Sequence, residues 1–395
     1  MIRRLALPTN YAVAYAVKSC DVDVIAAYPI TPQTAVVEKL SEFVADGELD
    51  AEFIAAESEH SALSAVVGAS AVGARVFTAT SSQGLALMHE VLFIASSMRL
   101  PIVMAIANRT LSMPLNIHND HQDMMASRDC GWVQMYVSSA QEAHDSIIQS
   151  YRLAERSDIL VPVCVCYDGF VLSHTYEPVI VREKDEVMEY LPRIDRPNIL
   201  DPDRPITMGI MALPDHTYEF KYQLVDALTK VPKALEEVDK EFEKRFNVSY
   251  GLYEEYMMED AEVLLIAMGA MASTAKVAID RLRSRGVKVG LFRPRLYRPI
   301  PIDSWREAFM KAKVLAVVDR AIGFGGVGGP LFNDIAALFA NDRDRPLILN
   351  FIAGIGGRDV TVKELIDMIN MSFKVIERGY VDKPCIYYGV RGLEV

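Results

Sequence analysis

The chain has few cysteines, no long apolar run and no concentration of basic residues, and each shortage excludes a class of protein. Its cysteines stand at 20, 130, 164, 166 and 385, a spacing that suits neither a disulfide framework nor a zinc or iron–sulfur site. Cys164 and Cys166 lie in the apolar run "ILVPVCVCYDGF", where a strand would point both to one face as buried core thiols. This usage fits a reducing, cytoplasmic setting with no cluster on the chain. No stretch approaches the ~18 uninterrupted apolar residues that a membrane span needs. The N-terminal "MIRRLALPTNYAVAYAVKSCD" imitates a signal peptide, but Pro8, Thr9 and Asn10 interrupt it. It reads as mature protein, with a helix capped near Thr9 or Asn10. A net charge of −12, spread along the chain, excludes nucleic acid as a main partner. There is no Walker loop, no serine nucleophile elbow, and no Gly-Asp-Gly with a following Asn pair to hold a magnesium diphosphate; "YDGF" at Tyr167 is not that motif.

What is present is a dense alternation of short β-rich runs and helical patterns. "VIAAYPI", "AEFIAAE", "RVFTATSS", "PIVMAIAN" and "DILVPVCVCYDGF" read as strands. "QTAVVEKLSEFVAD", "HSALSAVVGASAVG" and "GLALMHEVLFIASSM" read as helices between them. That order predicts an α/β fold with a doubly wound, mostly parallel sheet. At 395 residues, with 51% hydrophobic and 24% charged residues, two or three globular domains are expected. The first occupies residues 1–235, its last part (184–235) a Pro- and Asp-rich excursion and the start of a long charged helix. Residues 236–258 are expected to be a linker, and residues 259–395 a second, smaller α/β unit.

Four stretches carry chemistry. "AYPITPQTAVVEKL" runs from a strand through two prolines into a helix, so φ is fixed at Pro29 and Pro32 and the elbow aims Tyr28 and Thr31. Ligands of open α/β sheets bind at such strand ends. "AAESEHSALSAVVGASAVG" sets Glu57 and Glu59 between an apolar strand and a small-residue helix. A desolvated carboxylate there would share a proton with a heterocycle, whereas a plain helix cap is the alternative. "ANRTLSMPLNIHNDHQDMMASRDCGW" opens with Arg109 at a strand end, suited to grip a small carboxylate. Asn116, His118, Asp120, His121 and Asp123 follow in a glycine-free loop that faces substrate rather than metal. "GFGGVG", from Gly323, matches a dinucleotide-binding pattern. Its acidic partners Asp342 and Asp344 lie in a loop, which favours packing against another subunit.

Together "YPITP", "ESEHSA", "TATSSQGL", the Arg109 strand end, "NDHQDMMASRDCGW", "QEAHD", "GFGGVGG" and "GIGGRDVT" resemble the α subunit of the 2-oxoacid:ferredoxin oxidoreductases, the pyruvate:ferredoxin oxidoreductase family. The resemblance implies a thiamine-diphosphate-binding-type pyrimidine domain followed by a transketolase C-terminal-like domain. It implies that Glu59 contacts N1′ of the thiamine aminopyrimidine. Thr31 then lies beside the thiazolium and substrate with Tyr28 close by, and Arg109 binds the substrate carboxylate. The diphosphate and Mg2+ would be held by a partner β subunit, and 4Fe–4S clusters by further subunits that pass electrons to ferredoxin. A dimer of the heteromeric unit is expected.

For the substrate, Asn116, His118 and His121 near Arg109 suggest a polar pocket fit for a second carboxylate. The chain is therefore similar to oxalate oxidoreductase, which releases two carbon dioxides without coenzyme A. Oxidation of pyruvate or another 2-oxoacid to an acyl-CoA is the alternative. A structural subunit without site residues and a nicotinamide dehydrogenase are two further readings.

Overall fold

The computed structural model describes residues 3–196 and 198–393. Two open sheets organise it. In the first, the order is Leu296–Arg298, Val133–Tyr136, Val163–Asp168, Val103–Asn108, Val76–Thr80, Val24–Ala27, Glu52–Ala55. All its neighbours are parallel except at the Leu296–Arg298 edge. The second runs Cys385–Tyr387, Leu347–Ile352, Val314–Asp319, Val263–Ile266, Val289–Pro294, Tyr253–Tyr256, with only the last strand antiparallel. Strands such as Val163–Asp168 and Val103–Asn108 are buried at every position. A parallel sheet covered by helices on both faces makes that demand, and it explains their unbroken apolar runs. Cys164 and Cys166 are accordingly buried thiols.

The helices follow from spacing and caps. Val36, Val37, Leu40 and Phe43 form the buried stripe of Thr34–Ala45. Ser58 accepts from the Ser61 N–H at the start of Glu59–Ala71, and a Thr361/Glu364 capping box opens Val362–Arg378. The first helix, Thr9–Ser19, starts where expected, but neither expected cap acts as one. Asn10 sends its amide to Pro32 O instead (2.8 Å). The apolar residues before it form a strand, Arg3–Pro8, paired antiparallel with Tyr176–Val181. The stretch read as one helix around Met88 is two, Ser82–Leu87 and His89–Ser97.

The expected linker does not survive as one. Helix Pro214–Phe246 crosses residue 235 without a break, because its buried stripe continues through Leu235, Val238 and Phe242 until Asn247 turns left-handed (φ 56°). The strand Tyr253–Tyr256 then joins the second sheet. The chain also returns: Leu296–Arg298, deep in the second unit's sequence, extends the first sheet. Among the described residues no helix is long and apolar enough to cross a membrane.

Between the sheets lies a buried charge cluster built on "QEAHD". Glu142 accepts from Arg293 Nη1 (3.0 Å) and from Ser138, and it lies 3.5 Å from Arg295 Nε. Arg295, fully buried, donates to Gln149 Oε1 (2.5 Å), Ser146 Oγ (2.9 Å) and Gly251 O (2.9 Å). Glu142→Ala leaves Arg295 without its contacting carboxylate. Equilibrium unfolding in urea is expected to show a loss of about 3–5 kcal/mol.

Candidate functional site

The loops that follow Val24–Ala27, Val76–Thr80, Val103–Asn108 and Val163–Asp168 all emerge at the carboxyl edge of the first sheet, on adjacent strands. The elbow after Val24–Ala27 is held from three sides. Gln33, buried just before the helix at Thr34, donates to Tyr28 O (3.0 Å) and Ala79 O (3.1 Å). Asn10 holds Pro32 O, and its own oxygen accepts from Tyr167 OH (2.8 Å). Gly169 lies against the ring of Pro32, where a Cβ would come within 2.8 Å of the proline Cγ and 2.5 Å of Asn108 O. Pro32 thus belongs to the turn rather than to the helix, and Tyr28 (38% exposed) and Thr31 remain open to solvent.

Arg109 meets this elbow. Only 6% exposed, it donates through Nη1 to Thr31 O (3.0 Å) and through Nε to Asn116 O (3.0 Å). Its Nη2 has no protein acceptor among the described residues. The guanidinium is therefore fixed in plane with one edge still available, as a carboxylate grip requires.

Glu59 and Glu57 differ. Glu57 is exposed and accepts from Ser61 Oγ (2.5 Å), which lowers its pKa, so it is not the desolvated acid. Glu59 is 7% exposed at the head of its helix and has no hydrogen-bond donor among the described residues. Opposite it sits Gly84, where a Cβ would lie 2.6 Å from Glu59 Oε1 and 2.5 Å from Thr80 Oγ1. Thr80 Oγ1 and Gln83 Nε2 are buried without partners. A buried carboxylate and an unused hydroxyl around a missing side chain, with the unpaired Gln83 amide on the residue before it, fit a heteroaromatic ring with donor and acceptor edges.

The loop after Arg109 departs from expectation. Asn116 donates to Gly356 O of the second unit (2.8 Å), and its oxygen accepts from His118 N (2.8 Å) and faces His118 Nδ1 (3.0 Å). His118 stacks near Phe170 (5.0 Å) and rests on Gly357. The polar groups on which the oxalate expectation rested are thus spent on loop closure and docking, and it loses its basis. Met113, Leu115 and Ile117 are the exposed large apolar side chains of this loop, and His118 is exposed beside them. His121 is buried, 3.2 Å from Asp168 Oδ1.

Asp168 is the residue the sequence reading missed, although an acid closing the apolar "VCVCYD" at the same edge as Arg109 was a usable signal. Its Oδ1 accepts from Asn119 (2.7 Å) and pairs with Arg320, and its Oδ2 accepts from Ala270 N (2.6 Å). Burial pushes the carboxyl upward, but Arg320, His121 and the Ala270 N–H outweigh it and hold the pKa well below the usual range.

At "GFGGVG" the structure supplies the reason against a dinucleotide. Asp319 fills the head of helix Pro330–Leu338, accepting from Leu331 N (2.9 Å), Phe332 N (3.1 Å) and Asn350 (2.9 Å), and Gly329 lies against it. A pyrophosphate would meet a carboxylate where it needs N–H groups. Burial pushes Asp319 up to about 6.

The family model "Pyruvate flavodoxin/ferredoxin oxidoreductase, thiamine diP-bdg" matches residues 15–240, and "Pyruvate:ferredoxin oxidoreductase core domain II" matches residues 261–365. The chain belongs to this family, as an α subunit of the 2-oxoacid:ferredoxin oxidoreductases. It is 50% identical over 389 residues to pyruvate synthase subunit PorA of Pyrococcus horikoshii (98% of each chain). With PorA of Methanocaldococcus jannaschii it shares 51% over 362 residues (91% and 92%). Ketoisovalerate oxidoreductase subunit VorA of Pyrococcus abyssi shares 42% over 384 residues (97% and 96%). Among solved structures, a 2-oxoglutarate:ferredoxin oxidoreductase from Magnetococcus marinus superposes with a TM-score of 0.74 at 18% identity, over 93% of this chain and 65% of that one. A split-gene transketolase superposes at 0.54 and 12% identity, over 94% and 99%. The two α/β units are the thiamine-diphosphate-enzyme fold.

The depressed pKa of Asp168 has a direct consequence. Its stabilisation is present above the unfolded carboxylate value of about 3.9 and is lost as pH falls below it. Urea unfolding from pH 6 to pH 3 is expected to lose stability more steeply in the wild type than in Asp168→Asn. Equal slopes would remove Asp168 as the source.

Proposed function

We propose that this chain is the substrate-gripping half of a thiamine-diphosphate-dependent pyruvate:ferredoxin oxidoreductase. Pyruvate, coenzyme A and two oxidised ferredoxins would give acetyl-CoA, carbon dioxide, a proton and two reduced ferredoxins. The most identical relatives named above are pyruvate synthase subunits. One observation carries the substrate. In the loop after Arg109 the side chain of Asn116 is committed to His118 and Gly356, whereas the exposed apolar side chains, Met113, Leu115 and Ile117, suit a methyl group rather than a second carboxylate.

Thiamine diphosphate, when bound, supplies a carbon nucleophile and an electron sink for the decarboxylation. Glu59 would hold a proton at N1′ of its aminopyrimidine, with Thr80 and Gln83 offering further hydrogen bonds and Gly84 leaving room for the ring. The low exposure of Glu59 makes the proton transfer effective, because little water competes for it. Arg109 grips the substrate carboxylate through its free edge and keeps it aligned while the carbon–carbon bond breaks. Thr31 and Tyr28, set by the elbow, line the space for the reacting carbon. The diphosphate and its Mg2+ belong to a partner β subunit. Iron–sulfur clusters, which partner subunits would hold, would supply one-electron transfer toward ferredoxin, and a dimer of the heteromeric unit would complete the assembly.

The test is reduction of a low-potential dye by the native complex with pyruvate and with oxalate, each with and without coenzyme A. Coenzyme-A-dependent pyruvate activity is expected, and coenzyme-A-independent activity on oxalate, or activity on ketoisovalerate added as a third substrate above that on pyruvate, would overturn the substrate. In the same assay Glu59→Gln is expected to lower kcat at least about 100-fold. Gly84→Ala, whose methyl meets the Glu59 carboxylate, is expected to abolish binding of the cofactor at concentrations that saturate the wild type. An intact rate in Glu59→Gln would return the chain to a structural role.

A further inference from the structure

Asp123 occupies a position that no step above uses. It lies on the short helix Gln122–Ala126, is almost fully buried, and carries four N–H donors. Oδ2 accepts from the backbone N–H of Ser82 (3.0 Å) and of Arg109 (3.0 Å), and Oδ1 from Asn108 Nδ2 (2.8 Å) and its neighbour Met124 N (2.8 Å). One oxygen therefore joins the loops that leave two adjacent strands, Val76–Thr80 and Val103–Asn108.

Each loop carries a part of the site. Ser82 begins the turn that presents Gly84 to Glu59, and it does so at φ 47°, a left-handed conformation that costs a non-glycine residue energy unless its surroundings impose it. The Ser82 Oγ–Thr110 O bond (2.5 Å) closes the same loop pair from the other side. Arg109 is the next residue in chain order before Thr110, and its guanidinium direction depends on where its backbone is pinned.

We infer that Asp123 is a positioning residue that sets the Arg109 grip in register with the Gly84–Glu59 wall by holding both backbones on one carboxylate oxygen. The inference rests on the reading of Arg109 as the carboxylate grip. Asparagine has the same shape but only one acceptor oxygen, so in Asp123→Asn an amide N–H must confront at least one of the donors now satisfied. With the amide in the Oδ2 place the N–H groups of Ser82 and Arg109 lose their acceptor and the loop pair opens; with it in the Oδ1 place it confronts the Met124 N–H and the carboxamide is pushed out of register with both loops.

The experiment uses the assembled complex with pyruvate as the varied substrate. Asp123→Asn is expected to raise KM for pyruvate about tenfold or more while kcat falls less than about threefold, because the loss is in substrate alignment. Arg109→Lys alone and the double variant complete a cycle. If Asp123 acts through Arg109, the combined loss in kcat/KM is well short of the product of the single losses. Multiplicative effects, or a lowered melting temperature with KM unchanged, would overturn the inference. Where Asp123→Asn does not assemble, Asn108→Ala removes one donor from the same carboxylate. It is expected to raise KM by a smaller factor of about two to five, and an unchanged KM there counts equally against the inference. If Arg109→Lys leaves KM unaltered, it is the Arg109 reading that fails, independently of Asp123.

Discussion

The site depends on burying one carboxylate, that of Asp168, at the seam between the two sheets. A charge removed from water costs several kcal/mol unless it is fully paired and hydrogen-bonded. Here the partners come from both units: Asn119 and His121 from the first, Arg320 and the Ala270 N–H from the second. Because no single unit can satisfy Asp168, the fully satisfied state exists only when the units are docked in one register. The segment Asn116–Gln122 follows that register closely. His121 N donates to Arg320 O (2.8 Å), Ile322 N to Gln122 (2.8 Å), Gly356 N to Asp120 (2.9 Å), and Asn116 to Gly356 O. The loop that follows Arg109 is thereby strapped to the neighbouring unit.

The elbow shows the same economy on a smaller scale. Proline restricts φ but does not set where a turn sits in space, and the placement comes from Gln33, Asn10 and Gly169. Two of these lie far away in sequence, one in the chain's first helix and one just after the strand Val163–Asp168. The pinned carbonyl of Thr31 then gives Arg109 something to hold, so the geometry of the grip derives from the elbow.

Much of this was readable from residues alone, and the reason differs by element. Parallel strands buried on both faces must be continuously apolar, so Val103–Asn108 and Val163–Asp168 announce themselves. Glu59 and Arg109 stood out because charge at the end of an apolar strand is costly and calls for a partner. What composition does not encode is the direction of a side chain. Asn116 and His118 are polar, but their polarity faces the second unit and each other. The first part of the expected linker is helix for a related reason: a helix stops where its apolar stripe stops, and in Pro214–Phe246 that stripe continues past residue 235. Strands Arg3–Pro8 and Leu296–Arg298 are short edges whose only signature is the pairing itself.

The contrast between the two glycine-bearing loops carries the last step. Gly84 and Gly329 each make room for an acidic side chain at a helix start, Glu59 across from one and Asp319 beneath the other. At Gly329 the carboxylate is consumed by two backbone N–H groups and Asn350, so the helix end is neutralised from within and nothing remains for a ligand. At Gly84 the carboxylate has no donor among the described residues, and there the Thr80 hydroxyl beside it is also unpaired. Most buried polar groups in native proteins are paired, so several unpaired ones gathered around a gap mark a place for a partner. The glycine motif that looked like a binding fingerprint is therefore internal structure, while the one embedded in "TATSSQGL" leaves a gap lined by unpaired polar groups, the feature on which the proposed cofactor contact rests.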